Sequence, residues 1–325
     1  SGQVYLEVDG QFIKIRNGKF EVNRFSPIDE KVTLIATDKW GNKTTKTVSV
    51  KIDIKDTAVV QKIEPLMPKK IRPGNSGDKV AIIIGIEKYK NTPSAKYANL
   101  DAKYFYEYAR KAFGVKSSNI KLLVDQDANL ISTITTLSKW LPSRIKSGQT
   151  EVLIFYSGHG LASSNGEDLF LLPHDADADL LKRTAISRTE FFKDIIKLNP
   201  SKVTMFLDTC YSGISRDEKT LLASARPIRV AAKDDNRVPN NFSIFSASKL
   251  NQISSSFEGA KHGIFSYYLM KGLEGNADLD KNKNITNLEL IQYLKENVRK
   301  ESSKIGRSQE PTFTGNQAKV ILSLR

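Results

Sequence analysis

Residues 3 to about 54 alternate apolar and polar side chains, the period of strands that bury one face. Val4-Tyr5-Leu6-Glu7-Val8, Gln11-Phe12-Ile13-Lys14-Ile15, Lys31 to Thr37 and Thr44 to Ile52 are the predicted strands, with turns at Asp9-Gly10, Asn17-Gly18 and Gly41-Asn42. They predict a small β-sandwich-like domain over residues 1–55, with Trp40 as core or turn cover. Residues 56–78 carry Pro65, Pro68, Pro73, Gly74 and Gly77 and predict a linker with little regular structure, lying along the domain that follows. From Lys79 the period changes. Val80 to Gly85 is apolar without alternation, which marks a strand covered on both faces of a parallel sheet. Strands at Ile120–Val124, Val152–Tyr156, Val203–Leu207 and Phe242–Ala247 are spaced by helices at Asn99–Phe113, Leu130–Ile145, Thr189–Leu198, Gly263–Leu273 and Leu288–Ser302, and Lys319–Leu324 reads as an edge strand. Residues 79–325 therefore predict a layered α/β domain around a mostly parallel sheet.

Two of these strands run into reactive side chains. Val152-Leu153-Ile154-Phe155-Tyr156 leads into Ser157-Gly158-His159-Gly160, and Val203-Thr204-Met205-Phe206-Leu207 leads into Asp208-Thr209-Cys210-Tyr211-Ser212-Gly213. Parallel strands deliver their C-terminal ends to one edge of a sheet, where α/β sites form. Cys210 and His159 then meet as nucleophile and base, because a thiol is a strong nucleophile only once a neighbour takes its proton. Glycines beside His159 and Cys210 keep the edge open to a substrate backbone, and N–H groups of Gly160 and Cys210 are candidate oxyanion donors. A lone cysteine is more often core filler, but packing alone does not account for Asp-Thr-Cys-Tyr-Ser-Gly at a strand end. His174 and His262 lack such a setting.

Composition narrows the alternatives. Cys210 is the only cysteine, which excludes an intrachain disulfide framework and a thiolate metal cluster, and three histidines argue against a histidine-rich metal centre. A net charge of +14 favours nonspecific attraction to anions, but the basic residues are spread out and no specific nucleic-acid partner is expected. Gly85-Ile86-Glu87-Lys88-Tyr89 lacks the glycines of a dinucleotide fingerprint. No run is long enough for a transmembrane segment. Ser1-Gly2 reads as a cloning remnant, so the lack of a visible signal peptide says nothing about the compartment.

The segments around His159 and Cys210 resemble those of caspase-like cysteine peptidases (clan CD, peptidase C14), and the bacterial metacaspase-like branch more than animal caspases. The resemblance covers residues 79–325 and includes the separation of 51 residues between His159 and Cys210. It implies a three-layer α/β/α sandwich and a Cys210–His159 dyad. Animal caspases carry glutamine two places before the nucleophile; Asp208 stands there in this chain, as in metacaspases, where that aspartate lines an acidic S1 pocket for Arg or Lys. The second pocket aspartate of that group falls on Asp101 within Ala98-Asn99-Leu100-Asp101-Ala102, although Ala98 occupies a place often held by cysteine, and Ser157 is a pocket neighbour. Paired carboxylates would hold a guanidinium and repel an acidic P1 side chain. The competing reading makes Asp101 a helix cap and Asp208 a turn former. Ser246-Ala247-Ser248 resembles the family's substrate-binding loop.

The segment 215–241 holds Arg216, Lys219, Arg226, Arg229, Lys233 and Arg237. In the resembling family this region is where some members cleave themselves, which makes Lys219, Arg226, Arg229 and Lys233 candidate processing sites. An intact loop would cover the cleft, and a solvated loop explains the same composition. Asp278, Asp280, Asn282, Asn284 and Glu289 stand at the ligand spacing of a Ca2+ loop, with Lys283 where the sharp turn calls for glycine. Ca2+ is thus a candidate activator, not a requirement of the chemistry; Asp125, Asp127, Asp175, Asp177 and Asp179 are a second candidate cluster. Val32 to Asn42 resembles the late hairpin of bacterial immunoglobulin-like modules, which implies a secreted, periplasmic or cell-surface protein. The expected partners are protein or peptide substrates with a basic P1 residue, and the expected state is a monomer. A related transpeptidase or narrow-specificity protease, and an inactive scaffold or adhesion protein, are the alternatives.

Overall fold

The change of period at Lys79 separates two kinds of architecture. The computed structural model describes residues 4–8, 11–22, 30–50, 63–72, 77–163, 165–211, 216, 221, 238–250 and 252–324. Its contacts divide the chain into two units, residues 1–61 with 302–308, and residues 62–301 with 309–325.

In the first unit, β1 (Val4–Val8), β2 (Gln11–Ile13), β3 (Glu30–Asp38) and β4 (Lys43–Val50) form an antiparallel sheet in the order β2-β1-β3-β4, consistent with an immunoglobulin-like module. Leu6, Val8 and Val32 are its buried centre, with Ile13, Ile15, Val22 and Leu34 packed around them. Asp38 Oδ1 accepts the Trp40 and Asn42 N–H groups and closes the β3–β4 turn. Trp40 is no core residue: it is 74% exposed on that turn, with Lys39 Nζ 4.2 Å from its ring centroid.

The second unit runs β5 (Lys79–Gly85), α1 (Ala98–Lys111), β6 (Ile120–Val124), α2 (Leu130–Thr135), β7 (Glu151–Ser157), β8 (Gly160–Ala162), β9 (Leu169–Leu171), α3 (Leu181–Thr184), β10 (Ile186–Ser187), α4 (Arg188–Lys197) and β11 (Lys202–Asp208). It continues with β12 (Phe242–Ser246), β13 (Ser256–Phe257), β14 (His262–Gly263), α5 (Ile264–Lys271), β15 (Asn284–Thr286), α6 (Asn287–Lys304), β16 (Thr312–Gly315) and β17 (Val320–Ser323). The main sheet has the order β16-β12-β11-β7-β5-β6, parallel except for β16. Successive side chains of a strand face opposite sides. Accordingly Ala81, Ile83, Phe155 and Phe206 pack into a layer with Phe105, Phe265, Leu269, Leu290 and Leu294 of α1, α5 and α6. Val80, Ile82, Ile154 and Met205 pack on the other side with Leu141, Phe191, Phe192 and Ile195. This is a caspase-like α/β/α sandwich. Gly85 permits the close approach of α1: a Cβ there would lie 2.3 Å from Ala102 Cβ and 2.4 Å from the Ala98 carbonyl oxygen. The end of α1 that carries Asp101 is thereby seated directly on the sheet.

Several elements depart from expectation. The helix predicted over 130–145 is α only to Thr135, widens into a π-turn at Thr136–Trp140, and closes in a 3-10 turn at Pro142–Arg144, where Pro142 has no N–H to continue the preceding pattern. Val320–Ser323 pairs with β15 in a separate ribbon; the antiparallel edge of the main sheet is β16, too short and polar to be read as a strand. A small sheet β10-β9-β8 follows directly from the His159 segment. Residues 63–71 run along the second unit, where Tyr267 Oη donates to the Glu64 carbonyl (2.7 Å) and Lys271 bridges Glu64 and Glu274. Among the described residues no helix is long and apolar enough to cross a membrane.

Candidate active site

β7 and β11 are hydrogen-bonded parallel neighbours, and their register sets Ser157 opposite Asp208. Gly158 N–H donates to the Asp208 carbonyl (3.2 Å) just beyond the last pair. His159 and Cys210 each follow that pair by two residues, so the fold brings both to one edge. The two segments press together: a Cβ on Gly160 would lie 2.7 Å from Thr209 Oγ1 and 2.8 Å from the Tyr211 ring, the residues on either side of Cys210. Both side chains are buried, His159 at 1% and Cys210 at 3% exposure.

His159 is held from three directions. Its Nε2 lies 2.8 Å from the Pro93 carbonyl oxygen, which can only accept, so Nε2 carries the proton and the neutral ring has its lone pair at Nδ1. Its backbone N–H donates to Tyr89 Oη (2.7 Å), and the Tyr89 ring lies 4.7 Å from the imidazole between centroids. Tyr156 Oη donates to the His159 carbonyl (2.7 Å). Burial holds the imidazole pKa down at about 4; the Pro93 carbonyl offsets part of this and the Arg216 charge adds to it. Since the folded value lies below the unfolded one, acid favours the unfolded chain: stability is full above pH 6.5 and falls as pH drops toward 4. The contribution lost is roughly 3 kcal/mol. Urea unfolding at pH 7.5 and pH 4 is expected to show this loss and His159→Gln to lack it; equal acid losses in both proteins would remove His159 as the cause.

Beside this pair lies a buried acidic site. Asp101 and Asp208 are both fully buried. Asp101 Oδ1 accepts from His262 Nδ1 (2.7 Å), its Oδ2 accepts from Ser157 Oγ (3.1 Å), and Gly263 N–H bridges both oxygens. Asp208 accepts from the hydroxyls of Ser254 and Ser266, each at 2.5 Å. Between the two carboxylates sits the guanidinium of Arg216, 3.0 Å from Asp208 Oδ1 and 3.5 Å from Asp101 Oδ2, and only 2% exposed. It also donates to Ser157 Oγ (3.1 Å) and to the Lys96 carbonyl (2.8 Å). Burial works against the Arg216 charge, but Asp208, Asp101 and the Cys210 sulfur together raise its pKa. Burial raises the Asp101 carboxyl, opposed by His262 and Arg216.

Residues 78–321 match the family model described as Caspase domain. The chain belongs to the caspase-like C14 peptidase family. Protein GSU0716 from Geobacter sulfurreducens has a similar solved structure, with a TM-score of 0.53 and 16% identity over 76% of this chain and 98% of that one. Pro-sf-caspase-1 gives a TM-score of 0.47 and 13% identity over 79% of this chain and 95% of that one. At 16% identity the likeness to GSU0716 is one of fold. No curated protein matches this chain in sequence.

Within the caspase-like domain, the other predicted residues fall as follows. Ser246 ends β12 and Ala247 and Ser248 follow it beside the same edge, where Ala247 N–H donates to the Leu207 carbonyl (2.9 Å), but Ala247 and Ser248 are buried. Gly213 and the candidate processing sites Lys219, Arg226, Arg229 and Lys233 lie outside the described residues. Asp278, Asp280 and Glu289 converge with carboxylate oxygens within 4.8 Å of one another, the only such group of three or more among the described residues. Lys283 adopts φ 67° in place of the expected glycine, so the sharp turn forms without it. These carboxylates also accept the loop's own N–H groups, Asp278 from Asn282 and Lys283, and Glu289 from Leu279 and Thr286. Asn282 and Asn284 bond within the loop and to Ser323. Asp125, Asp127, Asp175, Asp177 and Asp179 are not brought together; Asp125 instead accepts from the Glu87 and Lys88 N–H groups, and Asp175 from Leu130 N–H.

Sequence reading missed His262, Ser254, Ser266 and Tyr89, and placed Arg216 only in a basic loop. His262 and Asp101 are 161 positions apart, and nothing local to Lys261-His262-Gly263 signals the contact. Arg216 carried one usable signal: a cation six positions after Cys210 (216 minus 210), in a chain whose Asp101 and Asp208 were already read as a pair.

Proposed function

We propose that the chain is a cysteine endopeptidase that cuts after Arg or Lys. Cys210 Sγ gives its proton to His159 Nδ1 as it attacks the P1 carbonyl carbon, and N–H groups of Gly160 and Cys210 receive the negative oxygen. His159 then passes the proton to the departing amine, leaving a thioester on Cys210. Water, deprotonated by the same imidazole, attacks the thioester, releases the carboxylic acid and restores the thiol. Asp101 and Asp208 receive the P1 cation, with Ser157 as hydrogen-bonding neighbour. The observation that carries the specificity is the guanidinium of Arg216 between Asp101 and Asp208, since it marks the chemical group this site accommodates.

Self-cleavage at Lys219, Arg226, Arg229 or Lys233 belongs to this reading, as the segment that follows the nucleophile in sequence offers basic P1 residues. Ca2+ enters as an activator only, with Asp278, Asp280 and Glu289 as the residues that would hold it. An exported location rests on the immunoglobulin-like module.

The test is hydrolysis of fluorogenic peptides with P1 Arg, Lys, Asp, Asn or Ala, with calcium and with chelator, with Cys210→Ala alongside. Turnover confined to Arg and Lys and absent from Cys210→Ala is the expected result. Turnover after Asp or Asn would remove Asp101 and Asp208 from specificity, and a rate indifferent to chelator would assign the 278–289 loop to the fold alone.

A further inference from the structure

We propose that Arg216 is a resident competitor for the acidic site, so that a substrate's basic side chain enters only when Arg216 leaves. This rests on the reading of Asp101 and Asp208 as the P1 pocket and adds its regulation. A guanidinium is seldom fully buried, and when it is, paired carboxylates must compensate for the lost water. Arg216 meets that condition with acceptors that include the Asp208 and Asp101 carboxylates, Ser157 Oγ and the Lys96 carbonyl. A P1 arginine would need the same Asp101, Asp208 and Ser157. Two cations cannot share this space, so occupancy by Arg216 and by substrate exclude each other.

Two further observations favour competition over a purely structural ion pair. Arg216 follows Cys210 by six residues, so it is tethered beside the pocket and competes as an intramolecular ligand at high effective concentration. The guanidinium also donates to the Asp208 carbonyl (3.4 Å) and to Ser157 Oγ (3.1 Å), residues that stand two places before Cys210 and His159, so it sits at the strand ends that carry the two reactive side chains. When Arg216 leaves, the incoming Arg or Lys supplies an equivalent cation, and neither aspartate stays buried without a counter-charge. Exchange of one cation for another costs little electrostatically, which suits a reversible block.

The experiment uses p-aminobenzamidine, an amidinium probe whose fluorescence rises in an apolar pocket, titrated into the full chain carrying Cys210→Ala. Its Kd is compared with that of Cys210→Ala combined with Arg216→Gln or Arg216→Lys. A site filled by Arg216 most of the time weakens the probe in proportion to the open fraction. The Kd is therefore expected to fall by about tenfold or more in Arg216→Gln. Arg216→Lys, which keeps a buried cation but loses the bidentate fork, is expected to fall between the two and guards against misfolding of the Gln variant. With Cys210 intact, KM for an Arg peptide should drop by a similar factor in Arg216→Gln. Equal Kd values in all three proteins, with Arg peptides still cleaved, would overturn the competitor role and leave the peptidase reading standing. Absence of probe binding in every variant would overturn the basic pocket and this proposal together. Tighter binding in Arg216→Gln without hydrolysis by any Cys210 protein would support the competitor role and remove the peptidase reading.

Discussion

Cys210→Ala and His159→Ala are each expected to lower kcat for an Arg peptide by at least about a thousandfold, and the double variant to be no slower than either alone. The reason lies in how the two groups divide one proton. A free thiol titrates near 8.5, so at neutral pH most of Cys210 would be protonated without help. His159 is held neutral by burial, with its proton fixed on Nε2 against the Pro93 carbonyl, which leaves Nδ1 as the only ring atom able to accept. In the proposed mechanism, proton transfer is then part of the attack instead of a standing ion pair. Once either partner is gone the other has no step to perform, which is why the losses should not add. Single-turnover kinetics on the four proteins of this cycle would decide it. Additive losses would mean that His159 and Cys210 act separately, and a His159→Ala enzyme with near-normal kcat would remove the imidazole from the mechanism.

The parts of this site that the sequence exposed are those encoded by strand ends. Apolar runs before His159 and Cys210 identified β7 and β11, and adjacency of parallel strands did the rest. The three-layer fold was legible for the same reason: strands covered on both faces lack polar alternation. What stayed hidden was made by packing between distant segments. His262 reaches Asp101 because β14 is brought over α1, and Ser254 and Ser266 reach Asp208 from either side of the hairpin that β13 and β14 form. Arg216 was indistinguishable by composition from the other cations of its segment; only the three-dimensional position of the two aspartates sets it apart. The turn at Lys283 shows the opposite error. Glycine is the easiest residue for a positive φ, but a loop whose carboxylates tie down successive N–H groups can impose that conformation on lysine.

Asp208→Asn is expected to damage stability and specificity at once, and the two effects can be separated through Arg216. The ion pair between them is buried on both sides, at 0% and 2% exposure. Neutralising one partner leaves the other charge without water or a full counter-charge, which costs about 3–5 kcal/mol. Asp101 limits the damage only partly, because it stands 3.5 Å from the guanidinium against 3.0 Å for Asp208 and shares its oxygens with His262, Ser157 and Gly263. Combining Asp208→Asn with Arg216→Gln removes both charges, so chemical denaturation should show most of the stability regained, with a coupling of about 2 kcal/mol or more. Specificity should not return with it. A P1 arginine entering the repaired double variant meets one carboxylate instead of two, and kcat/KM for Arg over Ala peptides should stay down by about a hundredfold, the equivalent of losing a buried charge partner. Asp101→Asn should lose less selectivity, in keeping with its longer contact. A double variant that recovers both stability and Arg selectivity would show that Asp208 serves Arg216 alone and that substrates are selected elsewhere.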